Sequence, residues 1–363
     1  NYLNVLRPCE SLFKGNFKME NKKAALSYDD VLLVPRYSDI RSRSEVSTKT
    51  DLGNGLILDL PIIASPMDTI SEAAMAASLG NAGGAAIVHR YNGIEMQSRM
   101  IQIAIEVANT NINIGAAVGI SGDFIERALA LVESGATFLC VDVAHGHHIL
   151  MKEAIEKIRS AVGTNIHLMA GNVATLEGIN DLADWGADSI RCNIGGGSIC
   201  STRVQTGHGV PGLQTIIDCA QTDRNVTIIA DGGIRNSGGM VKAFACGADA
   251  VMCGSLLAGT DETPGKITED TNGTRWKTYR GMASKEAQVN WRGNYSSYEG
   301  VSARVPYRGS VVKILEDLKR GIRSGFSYSG ARGLKEFQSV ANLIRQTSAG
   351  MGESKTHILG RKW

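Results

Sequence analysis

The 363-residue sequence has almost no net charge, no long hydrophobic run and no paired cysteines. Lys and Arg number 38 against 36 Asp and Glu, so no strong field favours nucleic acid or an anionic membrane as a partner. The absence of about 18 consecutive apolar residues excludes a transmembrane helix. The N-terminal stretch also lacks the apolar centre of a signal peptide. Seven cysteines without a C-x-x-C pair disfavour a disulfide framework or a zinc site. We therefore expect a soluble, cytoplasmic protein.

What the sequence does have is a globular composition with an excess of glycine. Hydrophobic residues make up 43% and charged residues 20%, enough for a sizeable core. Glycine accounts for 42 residues, about 12% against a typical ~7%, with no collagen-like period. The excess indicates many tight turns or sites that are lined by backbone.

Eight short apolar runs alternate with longer helical patterns. The runs occupy 56–67, 83–90, 112–119, 137–146, 165–173, 188–197, 226–233 and 249–257. Each is apolar with little alternation, which is typical of a buried parallel strand. Between them, segments such as 121–136 and 175–187 repeat apolar residues at helical spacing. Similar phrases (SGATFL, WGADSI, CGADAV) precede three strands, with a glycine placed to close each helix.

These βα repeats predict an α/β fold, a (β/α)₈ TIM barrel, with a doubly wound sheet as the alternative. We expect an N-terminal arm over 1–25, the barrel domain over 26–348 and a C-terminal tail over 349–363. Residues 258–312 lack apolar periodicity, which predicts a long functional or disordered loop. The segments 318–330 and 337–350 again show the pattern of a helix.

In such a barrel the active site lies at the carboxyl ends of the strands. Asp231-Gly232-Gly233 follows the seventh predicted strand and Gly254-Ser255 the eighth, where barrels commonly bind phosphate through backbone N–H groups. The other strands end in polar or glycine-rich segments: Ser65-Pro66-Met67-Asp68, Asp142-Val143-Ala144-His145-Gly146, Gly171-Asn172 and the segment 195–200. Ordinary loop turns are the alternative to a phosphate site.

Three successive glycines, 195–197, precede Ser198 and Cys200 and predict a bent loop that presents both residues at the barrel mouth. Cys200 lies outside any helical or strand pattern, so it is a candidate nucleophile. The Thr202 hydroxyl could relay a proton, and the nearby charge of Arg203 would favour the thiolate. A small buried hydrophobe is the alternative role for any lone cysteine.

That alternative is the expectation for the cysteines inside strand or helix patterns: Cys140, Cys192, Cys246 and Cys253. Three histidines, His145, His147 and His148, could suggest a metal, but Asp142 is the one obvious partner nearby. We expect them to contribute loop polarity or a surface beside a ligand.

Seven motifs together resemble the IMP dehydrogenase/GMP reductase family. They are LSYDDVLLVP (26–35), SPMDT (65–69), MAGNVAT (169–175), GGGSICSTR (195–203), IIADGGI (228–234), VMCGSLLAGTDETPG (251–265) and YRGMAS (279–284). The resemblance covers roughly 24–360. It implies a TIM barrel, usually a homotetramer, that acts on a purine nucleoside monophosphate with NADPH or NAD. From the near-zero net charge, we expect no nucleic-acid or membrane partner.

The resemblance assigns roles to individual residues. Cys200 would attack purine C2, with Thr202 and Glu299 as its proton relay. The residues expected to bind substrate are Ser65, Met67, Ser198, Asp231, Gly232, Gly233, Gly254, Ser255, Tyr279, Gly281, Met282 and Ala283, the last at a position where the family has glycine. Those expected beside the cofactor are Asp142, Val143, Ala144, Asn172, Arg191 and Gly195. K⁺ would bind to carbonyls of Gly195, Gly197 and Cys200, with Glu353 from a neighbouring subunit.

Two departures distinguish this chain from the family's dehydrogenases. The sequence runs directly from the second to the third strand, without the CBS modules that dehydrogenases usually insert there. The active-site flap, about 283–305, is short, and Arg292 and Tyr295 are not adjacent as the dehydrogenases' water-activating Arg-Tyr pair is. Water attack on a thioimidate should then be slow, whereas hydride delivery needs no such pair.

We therefore expect GMP reductase activity, to which the Asp-Val-Ala at 142–144 is also similar. Three textual features favour a K⁺-activated IMP dehydrogenase instead: Ser65-Pro66-Met67, Arg-Ser-Gly at 323–325 and the tail segment GMGES. A barrel that binds nucleotide without catalysis is a further alternative. The joint presence of Cys200, Thr202 and Glu299 argues against it.

Overall fold

Eight parallel strands close into a barrel in the computed structural model of the chain, which describes residues 24–295 and 298–356. The strands in chain order are β1 (Val31–Leu33), β2 (Thr50–Asp51), β3 (Ile57–Leu58), β4 (Ile62–Ala64), β5 (Ala85–Val88), β6 (Asn113–Val118), β7 (Phe138–Asp142), β8 (His167–Val173), β9 (Ser189–Cys192), β10 (Thr227–Asp231), β11 (Ala250–Cys253), β12 (Thr268–Glu269), β13 (Arg275–Arg280), β14 (Ser302–Pro306) and β15 (Leu343–Arg345). The barrel consists of β4 to β11 in sequential order, and each of the eight predicted runs contains one of them. The predicted TIM barrel is confirmed.

Helices alternate with the barrel strands and continue beyond the last one. They are α1 (Ala73–Asn81), α2 (Ile94–Val107), α3 (Phe124–Glu133), α4 (Ile149–Val162), α5 (Leu176–Asp184), α6 (Thr202–Thr206), α7 (Gly212–Cys219), α8 (Ser237–Ala245), α9 (Lys285–Arg292), α10 (Val311–Ser327), α11 (Leu334–Val340) and α12 (Ser348–Glu353). Two short 3₁₀ turns, Tyr28–Asp30 and Arg43–Glu45, precede the barrel. No helix in the described part of the chain is long and apolar enough to cross a membrane.

Alternate residues of each strand face two different apolar cores. In β7, Phe138 and Cys140 belong to the barrel interior, whereas Leu139 and Val141 pack outward under the helices. Both faces are therefore apolar, which explains why the strands read as continuous hydrophobic runs. A side chain at Gly115 would place its Cβ 2.4 Å from the Phe138 ring, so this glycine makes room for the phenylalanine.

The run at 56–67 contains a second strand as well as β4. β3 pairs antiparallel with β2, and Leu52, Leu56 and Leu58 are buried in the same cluster as the barrel interior. This hairpin closes the amino-terminal end of the barrel. The glycines in the three repeated phrases have φ of 102°, 115° and 111° (Gly135, Gly186 and Gly247), which confirms the predicted helix closures.

The segment 258–312 is not an irregular loop. It contains the three-stranded antiparallel sheet β12–β13–β14 and helix α9. In β13 the inward-facing residues Lys277 and Tyr279 are buried. Lys277 Nζ donates to the carbonyls of Thr260 (2.9 Å) and Thr263 (2.6 Å). The prediction failed here because a buried lysine and a tyrosine mark the inner face of the strand instead of aliphatic residues.

The helical pattern predicted over 337–350 is interrupted by a strand. α11 ends at Val340, and β15 then pairs antiparallel with β1, so that Val31 lies opposite Arg345 and Leu33 opposite Leu343. Pairing with the start of the chain therefore overrides the local pattern. Residues 1–23 of the expected arm and 357–363 of the expected tail lie outside the described residues.

Candidate active site

A cavity of about 500 Å³ opens at the carboxyl ends of the barrel strands. Residues of β7 to β11 and of the loops after β4, β5, β7, β9, β10 and β11 line it, together with residues of β13 and of the flap. Every residue to which the family resemblance assigned a substrate, cofactor or catalytic role lies on this wall. Other residues nominated from the sequence do not line it: Asp68, His145, Gly146, Gly171 and Arg203. Glu353, on α12, does not line it. The site location follows the rule for this fold, and the individual roles remain predictions.

The loop from β9 to α6 carries Cys200, whose side chain is exposed. The Cys200 thiol lies 3.1 Å from Thr202 Oγ1, which donates in turn to Glu299 Oε2 at 2.7 Å. The backbone fixes this arrangement, since Ser201 N–H donates to the Glu299 carbonyl (2.9 Å) and Val301 N–H to the Ile199 carbonyl (3.0 Å). A proton can therefore pass from the thiol to a carboxylate through one hydroxyl.

Arg203 does not serve the thiol in the expected way. Its guanidinium donates to the carbonyls of Ile194 and Val210, both in the backbone around the same loop. Arg203 therefore stabilises the shape of the loop that holds Cys200.

The loops after β10 and β11 present backbone at close range. Gly232 and Gly233 have φ of 86° and 78°, a conformation that favours glycine. A Cβ on Gly232 would lie 3.3 Å from the amide nitrogen of Gly197, and one on Gly254 would lie 2.7 Å from the Tyr279 hydroxyl. Side chains would fill this cradle, so the glycines leave N–H groups open to an anionic group.

Tyr279 closes one side of this cradle. Burial raises the pKa of its phenol to about 12, although a hydrogen bond with Ser198 acts in the opposite direction. The phenol therefore stays protonated and available for hydrogen bonding at neutral pH. Next to it, Arg280 forms an ion pair with Asp68, and the Asp68 amide lies 3.2 Å from Met282 Sδ. These contacts attach β13 to the loop after β4.

Arg191 joins two acidic residues at the floor of the cavity. Its guanidinium forms ion pairs with Asp142 and, at 2.9 Å, with Asp231, and its side chain is 7% exposed. Burial alone would lower the pKa of Arg191, but the two carboxylates raise it well above its usual value. Asn172 Nδ2 also donates to Asp231 Oδ2 (2.8 Å). The arginine is thus held by the protein's own carboxylates, and its expected contact with a cofactor remains a prediction.

The flap contributes Trp291, which the sequence analysis did not nominate. Trp291, on α9, packs edge-on against Tyr91 with ring centroids 5.1 Å apart, and both line the cavity. Arg292 also lines the cavity, and its guanidinium lies 4.3 Å from the Trp291 ring centroid. The ring centroid of Tyr295 instead lies 4.6 Å from Lys285 Nζ, and Tyr295 is not on the cavity wall. Tyr91 directly follows the second predicted run (83–90), which is the signal that could have nominated it.

The remaining candidates have structural partners. His147 Nε2 lies 2.8 Å from Asp181 Oδ2, and His148 Nδ1 accepts the Leu150 amide at the start of α4. Burial lowers the pKa of His145, and neighbouring histidines add to this effect. Within 24–295 and 298–356, no cluster of His, Cys, Asp and Glu could hold a metal ion. Cys140, Cys192 and Cys253 are buried and Cys246 is half-buried, which confirms their expected packing role.

The chain matches the IMP dehydrogenase/GMP reductase domain over residues 25–357. Inosine-5'-monophosphate dehydrogenase from Borreliella burgdorferi is 36% identical over 405 positions, which cover 93% of this chain and 98% of that protein. GMP reductase from Leishmania major is 31% identical over 479 positions, covering 93% and 97%. A cysteine-to-alanine variant of GMP reductase from Trypanosoma brucei, in complex with guanosine 5'-monophosphate, superposes with a TM-score of 0.88 at 30% identity, covering 93% and 98%.

The alignments with both curated relatives are longer than this chain. The alignment with the Leishmania reductase is longer than that with the Borreliella dehydrogenase, and both exceed the 363 residues of this chain. Both relatives therefore carry segments that have no counterpart in this chain. The match over nearly the whole length, the closed barrel and the motifs around one cavity agree: the chain belongs to the IMP dehydrogenase/GMP reductase family of oxidoreductases.

Proposed function

We propose that this chain is a GMP reductase, which converts GMP, NADPH and a proton to IMP, ammonia and NADP⁺. One observation favours this choice over IMP dehydrogenase, the other activity in the family. Arg292 lies on the cavity wall, whereas Tyr295 lies over Lys285 outside it. Among the described residues of the flap, no tyrosine accompanies Arg292 on the cavity wall to activate water with it, and a reductase needs no such water. The GMP-bound reductase structure to which this chain is similar supports the same choice.

The chemistry begins at Cys200. Its thiol gives a proton through Thr202 to Glu299, and the sulfur attacks C2 of the purine. The C2 amine takes up that proton and leaves as ammonia, so that a thioimidate joins Cys200 to the base. The orientation of the two hydrogen bonds, 3.1 Å and 2.7 Å, supports this route. When C2 receives a hydride the C–S bond breaks, IMP is released, and a solvent proton restores the thiol.

The substrate residues follow from the cradle described above. The N–H groups at Gly232, Gly233 and Gly254 would hold the phosphate, with the hydroxyls of Ser198 and Ser255. Asp231 would accept hydrogen bonds from ribose hydroxyls. The base would lie against Met282, with Gly281, Ala283, Ser65 and Met67 around it. All of these residues line the cavity.

A nicotinamide cofactor, when bound, supplies the hydride for the reduction of GMP to IMP. Asp142, Val143, Ala144 and Asn172 also line the cavity and would orient the ring. The choice of NADPH over NAD is part of the proposal.

K⁺ binding and the tetramer remain parts of the proposal that come from the family. Of the three loop carbonyls, that of Gly197 accepts the Cys200 amide at 3.2 Å and retains a second lone pair for a cation. Glu353 would complete the site from a neighbouring subunit.

IMP dehydrogenase is the second candidate, and the position of Arg292 favours it. Arg292 is a cationic group on the cavity wall that could polarise water near C2, and relatives of both names match this chain. A barrel that only binds nucleotide is disfavoured, because the complete Cys200–Thr202–Glu299 chain would then have no use.

Product analysis tests the proposal. Purified protein incubated with GMP and NADPH should yield equimolar IMP and ammonia, and Cys200→Ser should yield neither. XMP formed from IMP and NAD⁺, and lost in Arg292→Ala, would instead assign the dehydrogenase reaction.

A further inference from the structure

Asn193 has an unusual backbone conformation at the start of the catalytic loop. It follows β9 directly, is 4% exposed and has a φ of 142°, in the half of backbone space that glycine favours. Among the described non-glycine residues, Asn54 alone shares a positive φ, of 46°. Strained backbone persists where surrounding contacts enforce it, and such residues concentrate at functional sites.

The contacts of Asn193 connect three barrel strands. Its amide donates to the Val173 carbonyl (2.8 Å), and its own carbonyl accepts from Asn172 Nδ2 (3.0 Å). Its side-chain Nδ2 donates to the carbonyl of Gly232 (3.3 Å) in the loop after β10. The buried Oδ1 has no partner. The side chain is therefore held by its bond to the Gly232 loop and by packing.

The catalytic loop folds around this carboxamide. A Cβ on Gly196 would lie 2.1 Å from Asn193 Nδ2, and one on Gly212 would lie 3.1 Å from it. The middle glycine of the 195–197 run is therefore required because the Asn193 side chain occupies that space. The same run contacts the Gly232 loop, since a Cβ on Gly233 would lie 3.3 Å from the Gly196 carbonyl.

We infer that Asn193 is a positioning residue that sets the Cys200 loop against the loop of Gly232 and Gly233. Its Nδ2 bond to Gly232 fixes the distance between the thiol and the nucleotide that the Gly232 loop would hold. Asn193 thus acts through Cys200 and would control the rate of covalent attack more than the affinity for nucleotide. The inference rests on the proposed role of Cys200, but it is the same whether the protein is a GMP reductase or an IMP dehydrogenase.

Two variants separate this role from simple packing. Asn193→Gly permits the observed φ and removes the side-chain bond, so it relieves strain while breaking the connection. Asn193→Asp keeps the volume but replaces the donor with an acceptor that faces the Gly232 carbonyl. Asn54→Gly is the matched control, because Asn54 also has a positive φ and donates to backbone carbonyls, at Thr164 and Ile166. Asn54 lies in the β2–β3 hairpin at the other end of the barrel.

The experiment uses the full-length protein and measures kcat for whichever reaction it catalyses, GMP reduction or IMP oxidation. It also measures the affinity for GMP and IMP by calorimetry, and it records Tm. It also follows carboxamidomethylation of Cys200 by iodoacetamide, resolved by peptide mass spectrometry, with and without GMP. We expect Asn193→Gly and Asn193→Asp to lower kcat at least about tenfold, with nucleotide Kd changed less than about threefold. The Tm of Asn193→Gly should not fall, and protection of Cys200 by GMP should weaken in both variants. Asn54→Gly should match the unsubstituted protein.

Unchanged kcat and unchanged GMP protection in Asn193→Gly would overturn the inference. Normal turnover in Asn193→Asp alone would also overturn it, because packing volume and not the bond to Gly232 would then matter. Full activity in Cys200→Ser would contradict the proposed function itself, and is a separate outcome. If a variant catalyses neither reaction, the rates of Cys200 alkylation with and without GMP still test the inference.

Discussion

Thr202 Oγ1 donates a hydrogen bond to Glu299 Oε2 at 2.7 Å, although 97 positions separate the two residues in the chain. The first lies at the start of α6 and the second just before β14, so the flap delivers the carboxylate to the catalytic loop. The pairing gives the Cys200 thiol a route to an acceptor that does not need bulk water.

Removing the hydroxyl from this pairing should slow proton transfer. We expect Thr202→Val to lower kcat by roughly 10²-fold or more, because positioned acid–base groups contribute about 10²–10⁴-fold. Steady-state rates measured across pH check this. Thr202→Ser is the matched control and should retain most activity. Equal rates in the valine and serine variants would contradict the relay.

The nucleophile prediction concerns Cys200 alone among the described cysteines. Cys200→Ser should lose at least about 10³-fold in kcat, because its hydroxyl is a much weaker nucleophile than a thiolate. Cys246→Ser is the control, since Cys246 is half-buried outside the cavity lining. Mass spectrometry of the unsubstituted protein during turnover should detect nucleotide bound at Cys200, and a label on another cysteine would count against the assignment.

The Arg191 ion pairs should stabilise the fold as well as shape the site. Arg191→Leu leaves Asp142 and Asp231 close together without their cation, at 15% side-chain exposure each. We expect the free energy of unfolding to fall by about 3–5 kcal/mol, measured by urea denaturation. Arg320→Leu, which removes exposed pairs with Glu316 and Asp317, should change it by no more than about 1 kcal/mol. Similar losses in both variants would refute the distinction.

His167 predicts a dependence of stability on pH. Burial lowers the pKa of His167 below its ordinary 6.5, although its contact with the Gly53 carbonyl acts the other way. The unfolded chain therefore binds a proton more readily than the folded chain just below pH 6.5. Stability should be fully present above that pH and decline as the pH falls below it.

Urea denaturation at pH 7.5 and 5.5 measures this dependence. His167→Gln should reduce the difference in unfolding free energy between the two pH values. Because the pKa of His145 is also lowered, His145→Gln serves as the comparison. An identical pH dependence in His167→Gln and the unsubstituted protein would show that His167 does not contribute.

The sequence predicted the barrel well because its strands are buried on both faces. It missed β13 because Lys277 and Tyr279 point inward there, with the lysine satisfied by three backbone carbonyls. It also missed β15, since the partner strand Val31–Leu33 lies at the opposite end of the chain. Strand pairing over such a separation leaves no local pattern.

The site was predictable to a similar extent. Residues at the carboxyl ends of strands were nominated by topology, and the structure gathers them around one cavity. Trp291 and Tyr91 were missed because their contact depends on the position of the flap. Asn193 was missed because neither a backbone φ nor the space left by Gly196 can be read from residue types.

The most direct test of the central claim follows the absorbance of reduced nicotinamide in two assays of the purified protein. One contains GMP and NADPH, and the other contains IMP, NAD⁺ and K⁺. The account predicts loss of absorbance in the first assay, with ammonia released in equal amount, and no change in the second. A gain in the second assay with none lost in the first would contradict it and assign the dehydrogenase reaction, with Arg292 as the first residue to test.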